Sequence, residues 1–263
     1  MNAEPSDIAA IESLLAFWAD AGVDACFEEA AVDRTIVIAP ALKAVAKATE
    51  SVTPVVNLTD QTSEARRLAN AAATMEELAA AAASFKGCEL VGMGARQCVF
   101  GRGDPHAPVL IVGEAPGADE DAAGEPFAGK TGKLLDRMLD AAGLTGKVFI
   151  TNTVFWRPPG NRTPTPQEQA VCAPFVERAF FLMKPRAVLL LGAASAKSVL
   201  KTEDGIMRMR GHWKEWRLAE GDVSAPAMPT LHPAFLLRQP QAKRQVWADL
   251  LELAAKLDER PEA

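Results

Sequence analysis

From residue 108 onward, short apolar runs alternate with helical stretches, and this alternation leaves the chain few ways to fold. PVLIVG precedes TGKLLDRMLDAAG, KVFIT precedes PTPQEQAVCAPFVERAFFLM, RAVLLLG precedes AASAKSVLK, and AMPTL precedes QAKRQVWADLLELAAKL. Strands without polar alternation must be buried on both faces, which a parallel sheet covered by helices provides. The pattern predicts a three-layer α/β/α fold with a central four-stranded parallel sheet. Ligands of such sheets bind beyond the carboxyl ends of the strands. There the sequence places GEAPG, Asn152, Gly192 and His232-Pro233.

The preceding third of the chain differs in composition. Residues 1–85 hold thirteen Asp/Glu against five Lys/Arg, a net charge of −8, whereas residues 86–263 carry +2. The overall charge of −6 therefore does not exclude a polyanionic partner, because the acidity is confined to one segment. The expected organisation is an acidic, Ala-rich, mostly helical N-terminal extension over 1–85 and an α/β domain over 86–263. Within the extension, IAAIESLLAFWADAG and ALKAVAKATES read as helices, TIVIAP as a short strand and residues 51–73 as a linker. TMEELAAAAASF opens on a Thr-x-x-Glu capping box and reads as a helix. No apolar run approaches the ~20 residues that span a bilayer, and MNAEPSDIAAIESLL lacks the pattern of a secretory signal. A cytoplasmic monomer without membrane contact, associated with the nucleoid, is expected.

Residues 124–131, GEPFAGKT, match the phosphate-loop pattern G-x-x-x-x-G-K-[ST] letter for letter. Mechanically the match is poor. A phosphate loop joins a strand directly to a helix, yet ten residues separate Gly113 from Gly124. Pro126 has no N–H to donate, Glu125 would set a carboxylate beside phosphate, and Phe127 is bulky where close approach is needed. The later strand ends in Gly192 rather than in an Asp that could help hold magnesium. Lys130 is better read as a helix-start residue or a phosphate contact. A nucleotide hydrolase would lose ATP or GTP binding on Lys130→Ala.

Three longer motifs carry more information: VGEAPGADEDAAGEPFAGKTGKLL, ITNTVFWRPPGNRTPTP and LHPAFLLR. In this order, on successive strand ends, they resemble the family 4 uracil-DNA glycosylases of the uracil-DNA glycosylase superfamily, over roughly residues 86–258. The resemblance implies a uracil-DNA glycosylase-like fold and a monofunctional enzyme of base-excision repair. Such an enzyme flips uracil out of DNA and hydrolyses its N-glycosidic bond, so its partners are uracil-containing DNA, free uracil and abasic DNA. The alternative is a non-catalytic binder of uracil-containing or abasic DNA, with the pocket kept and hydrolysis weakened.

By resemblance, His232 donates to the O2 of the leaving base. Asn152 reads the uracil edge, donating to O4 and accepting from N3–H, a pattern that cytosine reverses. Phe127 stacks on the flipped base. Gly113, Ala115 and Gly117 let the first loop approach the ligand closely, and Pro116 stiffens it. Glu114, Asp119, Glu120, Asp121 and Glu125 crowd one loop. A metal site there would draw all its ligands from a single loop, so none is expected. The resemblance makes Glu120 the candidate both for orienting water beside the cationic sugar and for excluding thymine's methyl. Both tasks need a group because Ala115 and Gly117 stand where better-known superfamily members carry Asp and Tyr. DNA contacts are expected from Arg157, Arg162, Arg208, Arg210, Lys214 and Arg238, with Leu237 beside Arg238 as an apolar wedge.

The family pattern breaks at its cysteines. Family 4 enzymes usually hold a [4Fe–4S] cluster on four cysteines; here Cys88 and Cys172 match two positions, and Val91 and Trp156 stand at the others. Cys98 is displaced and Cys26 lies in the extension. No cluster is expected, since a cluster needs its thiolates converging on one site. A related branch traps the abasic sugar through a histidine on an inserted basic loop, and RPPGNRTPT contains neither. Simple turnover is expected.

Overall fold

The computed structural model describes residues 58–219 and 222–259, all within a compact unit that runs from Pro54. The helices and strand expected before residue 58, and Cys26, lie outside the described residues.

Two helices come first, α1 (Leu58–Ala71) and α2 (Met75–Ser84). Much of the stretch expected as a linker is thus helical. Ala65 and Ala69 are fully buried on one face of α1. Their small side chains let α1 lie close against a long helix, α5 (Pro166–Met183). The Thr74 hydroxyl accepts the Glu77 N–H at 3.2 Å, and the Glu77 carboxylate accepts the Ala73 N–H at 2.7 Å. The expected cap is formed.

Six strands build the sheet: β1 (Gly101–Gly103), β2 (Val109–Gly113), β3 (Val148–Asn152), β4 (Ala187–Leu191), β5 (Lys214–Arg217) and β6 (Ser224–Thr230), in the order β1-β3-β2-β4-β6-β5. The inner four are parallel, as the apolar runs predict. Every residue of β2, β3 and β4 is buried. The expected four-stranded sheet gains an antiparallel strand at each edge, β1 on β3 and β5 on β6. Neither carries an apolar run. β1 reads Gly-Arg-Gly, and a Cβ on Gly101 would lie 2.5 Å from the Phe149 ring. β5 buries only Trp216, whose ring stacks on Phe180 at 4.0 Å between centroids.

Strand alternation sends side chains to two cores. Leu110, Val112, Phe149, Val188 and Leu190 pack with α1, α2 and α5. Val109, Ile111, Ile150, Leu189 and Leu191 pack on the other face against α4 (Lys130–Ala141) and the C-terminal α9 (Lys243–Asp258). The remaining helices are α3 (Ala118–Ala123), α6 (Ala193–Leu200), α7 (Ile206–Met209) and α8 (Pro233–Arg238). From β2 the chain passes to β3 on one side and later returns to β4 on the other. The loops part at that reversal and open a crevice at the carboxyl ends. Among the described residues no helix is long and apolar enough to cross a membrane.

Candidate active site

A cavity of about 560 Å³ opens at those carboxyl ends, lined by residues of all three sequence motifs. It brings together Glu114, Ala115, Gly117, Glu120, Phe127, Asn152, Arg162, His232 and Arg238. Gly113 is buried behind them: a Cβ there would lie 2.3 Å from Asn152 Oδ1 and 2.8 Å from the Phe127 ring. Only glycine lets those two groups pack against the end of β2.

Asn152 closes β3 and is 2% exposed. Its Oδ1 is buried without a hydrogen-bond partner. Leaving an acceptor so costs about 1–3 kcal/mol, which folding tolerates where a ligand supplies the missing donor. The main chain beside it is pinned: Thr153 donates its N–H to the Gly113 carbonyl at 3.0 Å and its hydroxyl to the Glu114 carbonyl at 2.6 Å.

Phe127 adopts φ +57°, a left-handed backbone that an aromatic residue rarely takes. Such strain costs about 1–3 kcal/mol and persists where the surroundings dictate it. Two contacts do so here. Arg102 of β1 donates Nε–H to the Pro126 carbonyl at 2.9 Å while pairing with Asp136 of α4 at 2.6 Å. Gly132 lies so close that a Cβ would be 1.5 Å from the Phe127 carbonyl oxygen. The apparent phosphate loop is thus a presentation loop for Phe127. Gly124 closes α3 in a left-handed turn at φ +80°, Gly129 caps α4, and Lys130 points to solvent. Gly132→Ala is expected to destabilise the protein by about 1–3 kcal/mol through overpacking, read as a lowered Tm.

Glu120 lines the cavity, and both of its oxygens are engaged. Oε2 accepts the Gly117 N–H at 3.0 Å and Oε1 the Gly129 N–H at 3.4 Å. One carboxylate therefore ties the first loop to the start of α4. Asp121, also buried, accepts the Arg96 N–H at 2.8 Å and faces away from the cavity lining.

His232 caps α8, its Nδ1 accepting the Ala234 N–H at 3.2 Å. An Nδ1 that accepts carries no proton, so in the neutral ring the hydrogen sits on Nε2. Burial first, and the Arg238 charge second, pull the imidazole down to about 4. The histidine is a neutral donor at physiological pH. Its ring lies 5.6 Å from that of Phe127, and Gly192, at φ +89°, leaves room for its Cβ.

The basic residues separate into two groups. Arg162 and Arg238 line the cavity, and Arg157 steadies the same rim by donating to Asn161 Oδ1 at 2.7 Å. Leu237 is 46% exposed beside Arg238, whereas Leu236 anchors α8 in the core. Arg210 lies elsewhere: it pairs with buried Asp249 and donates to the Gln245 carbonyl at 2.9 Å. Asp249 also accepts the Thr230 hydroxyl at 2.5 Å. This geometry makes Arg210 a clamp between α7 and α9. Arg208 and Lys214 are exposed outside the cavity lining. Sequence reasoning missed Arg102, Thr131, Asn161 and Gly132. Only the glycine had a signal, its GxxG spacing from Gly129.

The cysteines fit a four-thiolate cluster poorly. Cys88 and Cys172 are both buried; the Cys172 thiol holds that of Cys88 below its usual value, while burial first and Cys88 second raise Cys172. Val91 and Trp156 occupy the other two family positions. Trp156 is 3% exposed and packs on Phe85 and Phe155 at 6.5 and 6.1 Å. Burial pushes the half-buried Cys98 up to about 12, far from the thiolate a metal requires. Among the described residues no group of three or more His, Cys, Asp or Glu could share a metal ion.

Comparisons with known proteins place the sequence among the following relatives. The family profile described as "Uracil DNA glycosylase superfamily" covers residues 100–251. A type-4 uracil-DNA glycosylase of Pyrobaculum aerophilum is 39% identical over 160 residues, 59% of this chain and 81% of that protein. The type-4 enzyme of Sulfurisphaera tokodaii is 34% identical over 186 residues, 68% of this chain and 83% of its own length. A type-5 uracil-DNA glycosylase of Thermus thermophilus is 35% identical over 118 residues, 39% of this chain and 53% of that protein.

Proposed function

Because the chain belongs to the uracil-DNA glycosylase superfamily, we propose that it is a monofunctional uracil-DNA glycosylase whose cavity holds a flipped uracil between Asn152, Phe127 and His232. The observation that carries this reading is the orphaned Asn152 Oδ1. Uracil's N3–H is the donor it lacks, and the amide Nδ2 donates to O4 at the same time. Cytosine presents an acceptor and a donor at those two positions, so it would leave two buried groups opposed.

Cleavage breaks the bond between sugar C1′ and uracil N1. The bonding pair goes to the base, whose charge spreads to O2, and His232 Nε2–H meets that oxygen without a proton needing to transfer. Water adds to C1′ and loses a proton, the released uracil gains one, and the abasic strand remains. Glu114 and Glu120 both line the cavity, and their negative charge stabilises the oxocarbenium-like sugar. Glu120 also excludes thymine, because holding Gly117 and Gly129 together keeps the wall facing the base from opening for a methyl group. Arg157, Arg162 and Arg238 take backbone phosphates, and Leu237 fills the vacated stack.

No cluster enters this scheme, for Trp156 and its ring neighbours cross-link by packing what four thiolates would otherwise hold. Prolonged treatment with an iron chelator should leave the rate of uracil release unchanged. A rate that falls with iron loss would reject the cluster-free reading.

The reading is tested with labelled strands carrying one uracil or one thymine, single- and double-stranded. Alkali should cut the uracil strand alone after incubation with the protein. Intact strands that nonetheless remain bound would identify a damage-binding protein instead.

A further inference from the structure

Arg162 stands at the cavity rim, and its guanidinium is already committed on one edge. Nη1 and Nη2 donate to the two oxygens of Glu168 at 2.9 and 2.6 Å, and Nη1 also reaches the Thr163 carbonyl at 3.1 Å. Of five N–H groups, these bonds use three. The two that remain, Nε–H and the second Nη2–H, are parallel and lie on the side-on edge of the fork. That edge matches two oxygens of a phosphate.

Glu168 is placed to fix this orientation. Its side chain is 4% exposed, against 39% for that of Arg162. It occupies the third position of α5, where Oε2 also accepts the Thr165 N–H at 2.7 Å and the Thr165 hydroxyl accepts the Glu168 N–H at 3.2 Å. The capping box thereby sets the carboxylate, and the carboxylate sets the guanidinium. The Arg162 bond holds the Glu168 carboxyl below its usual range. Without an anchor, an exposed arginine samples many rotamers, and a DNA phosphate must pay to select one.

We propose that Glu168 is a positioning residue for DNA binding: it holds Arg162 end-on so that the side-on edge of the same guanidinium receives a backbone phosphate beside the flipped uridine. This rests on the glycosylase reading and adds to it a residue that never touches DNA. The proposal runs against simple electrostatics. Removing the Glu168 charge makes the protein more positive, which by itself favours a polyanion.

The test is single-turnover excision of uracil from a single-stranded oligonucleotide, with half-saturating protein concentration and maximal rate measured separately. Arg162→Ala and Glu168→Gln are each expected to raise the half-saturating concentration about tenfold with the maximal rate unchanged. The double variant should be no worse than Arg162→Ala alone. Glu168→Asp, which keeps the charge but shortens the reach, should fall between and carries the test if the Gln variant folds poorly. If Glu168→Gln binds as well as or better than the parent while Arg162→Ala binds worse, the positioning role is overturned and the phosphate contact stands. Additive losses in the double variant would reduce Glu168 to a structural residue. If Arg162→Ala binds normally, the inference fails at its root, while uracil release by the parent still reports the glycosylase separately.

Discussion

Replacement of His232 by alanine is expected to lower the single-turnover rate of uracil release by about two to three orders of magnitude, the effect of removing one preorganised donor from a developing anion. The donor is worth this much because nothing has to reorganise. The Ala234 N–H occupies Nδ1, so the proton stays on Nε2, and the ring is held between Gly192 and Phe127. Binding should change little, since the charge that His232 meets on O2 develops only as the bond breaks. The substitution also uncaps α8, at about 1 kcal/mol, so the rate must be compared under saturating protein and below the variant's melting range. A variant that melts normally, binds normally and still releases uracil at the parental rate would remove His232 from the chemistry.

Asn152→Ala should have an effect of similar size on kcat/KM, about two to three orders of magnitude, but with a different signature. His232 acts on the transition state, whereas Asn152 reads the base, so its loss should appear in binding and in rate together. Stability should move the other way. The buried Oδ1 has no partner in the folded protein, and deleting it removes a desolvation cost of about 1–3 kcal/mol. The space left behind opens onto the cavity and does not become a sealed void. The Tm of Asn152→Ala should therefore not fall, and a protein that loses its substrate while keeping its stability is what a ligand-specific amide predicts. A large drop in Tm with excision intact would make Asn152 an ordinary strand-end residue.

The parallel core was legible because β2, β3 and β4 are buried on both faces and so leave uninterrupted apolar runs. The edge strands were not. β1 reads Gly-Arg-Gly and pairs because glycine fits under Phe149, which is a fact about Phe149 rather than a pattern in β1. The α1 helix reads as a linker because only two alanines, Ala65 and Ala69, make its fully buried face. At the site, the motifs named the residues that meet across the cavity. They could not say which cations were already paired. Arg162 and Arg210 look alike in sequence and both pair with a carboxylate, yet Arg162 still lines the cavity while Asp249, thirty-nine positions along the chain, holds Arg210 away from it. Likewise the GKT letters suggested a phosphate, and only the contact between Gly132 and the Phe127 carbonyl explains why glycines recur there.

The central claim is that a neutral, buried imidazole is the donor to the departing base, and the pH dependence of single-turnover uracil release tests it most directly. The folded His232 sits at about 4, below the ordinary value of 6.5. The unfolded chain therefore binds the extra proton first as pH falls, and this histidine's contribution to stability declines between those two values. The folded enzyme keeps the neutral ring throughout that interval. The maximal rate should accordingly stay level from pH 8 down to about 5 and fall only on approaching 4. A rate that halves near 6.5 would mean a solvated histidine that gains its proton early, and would contradict the account.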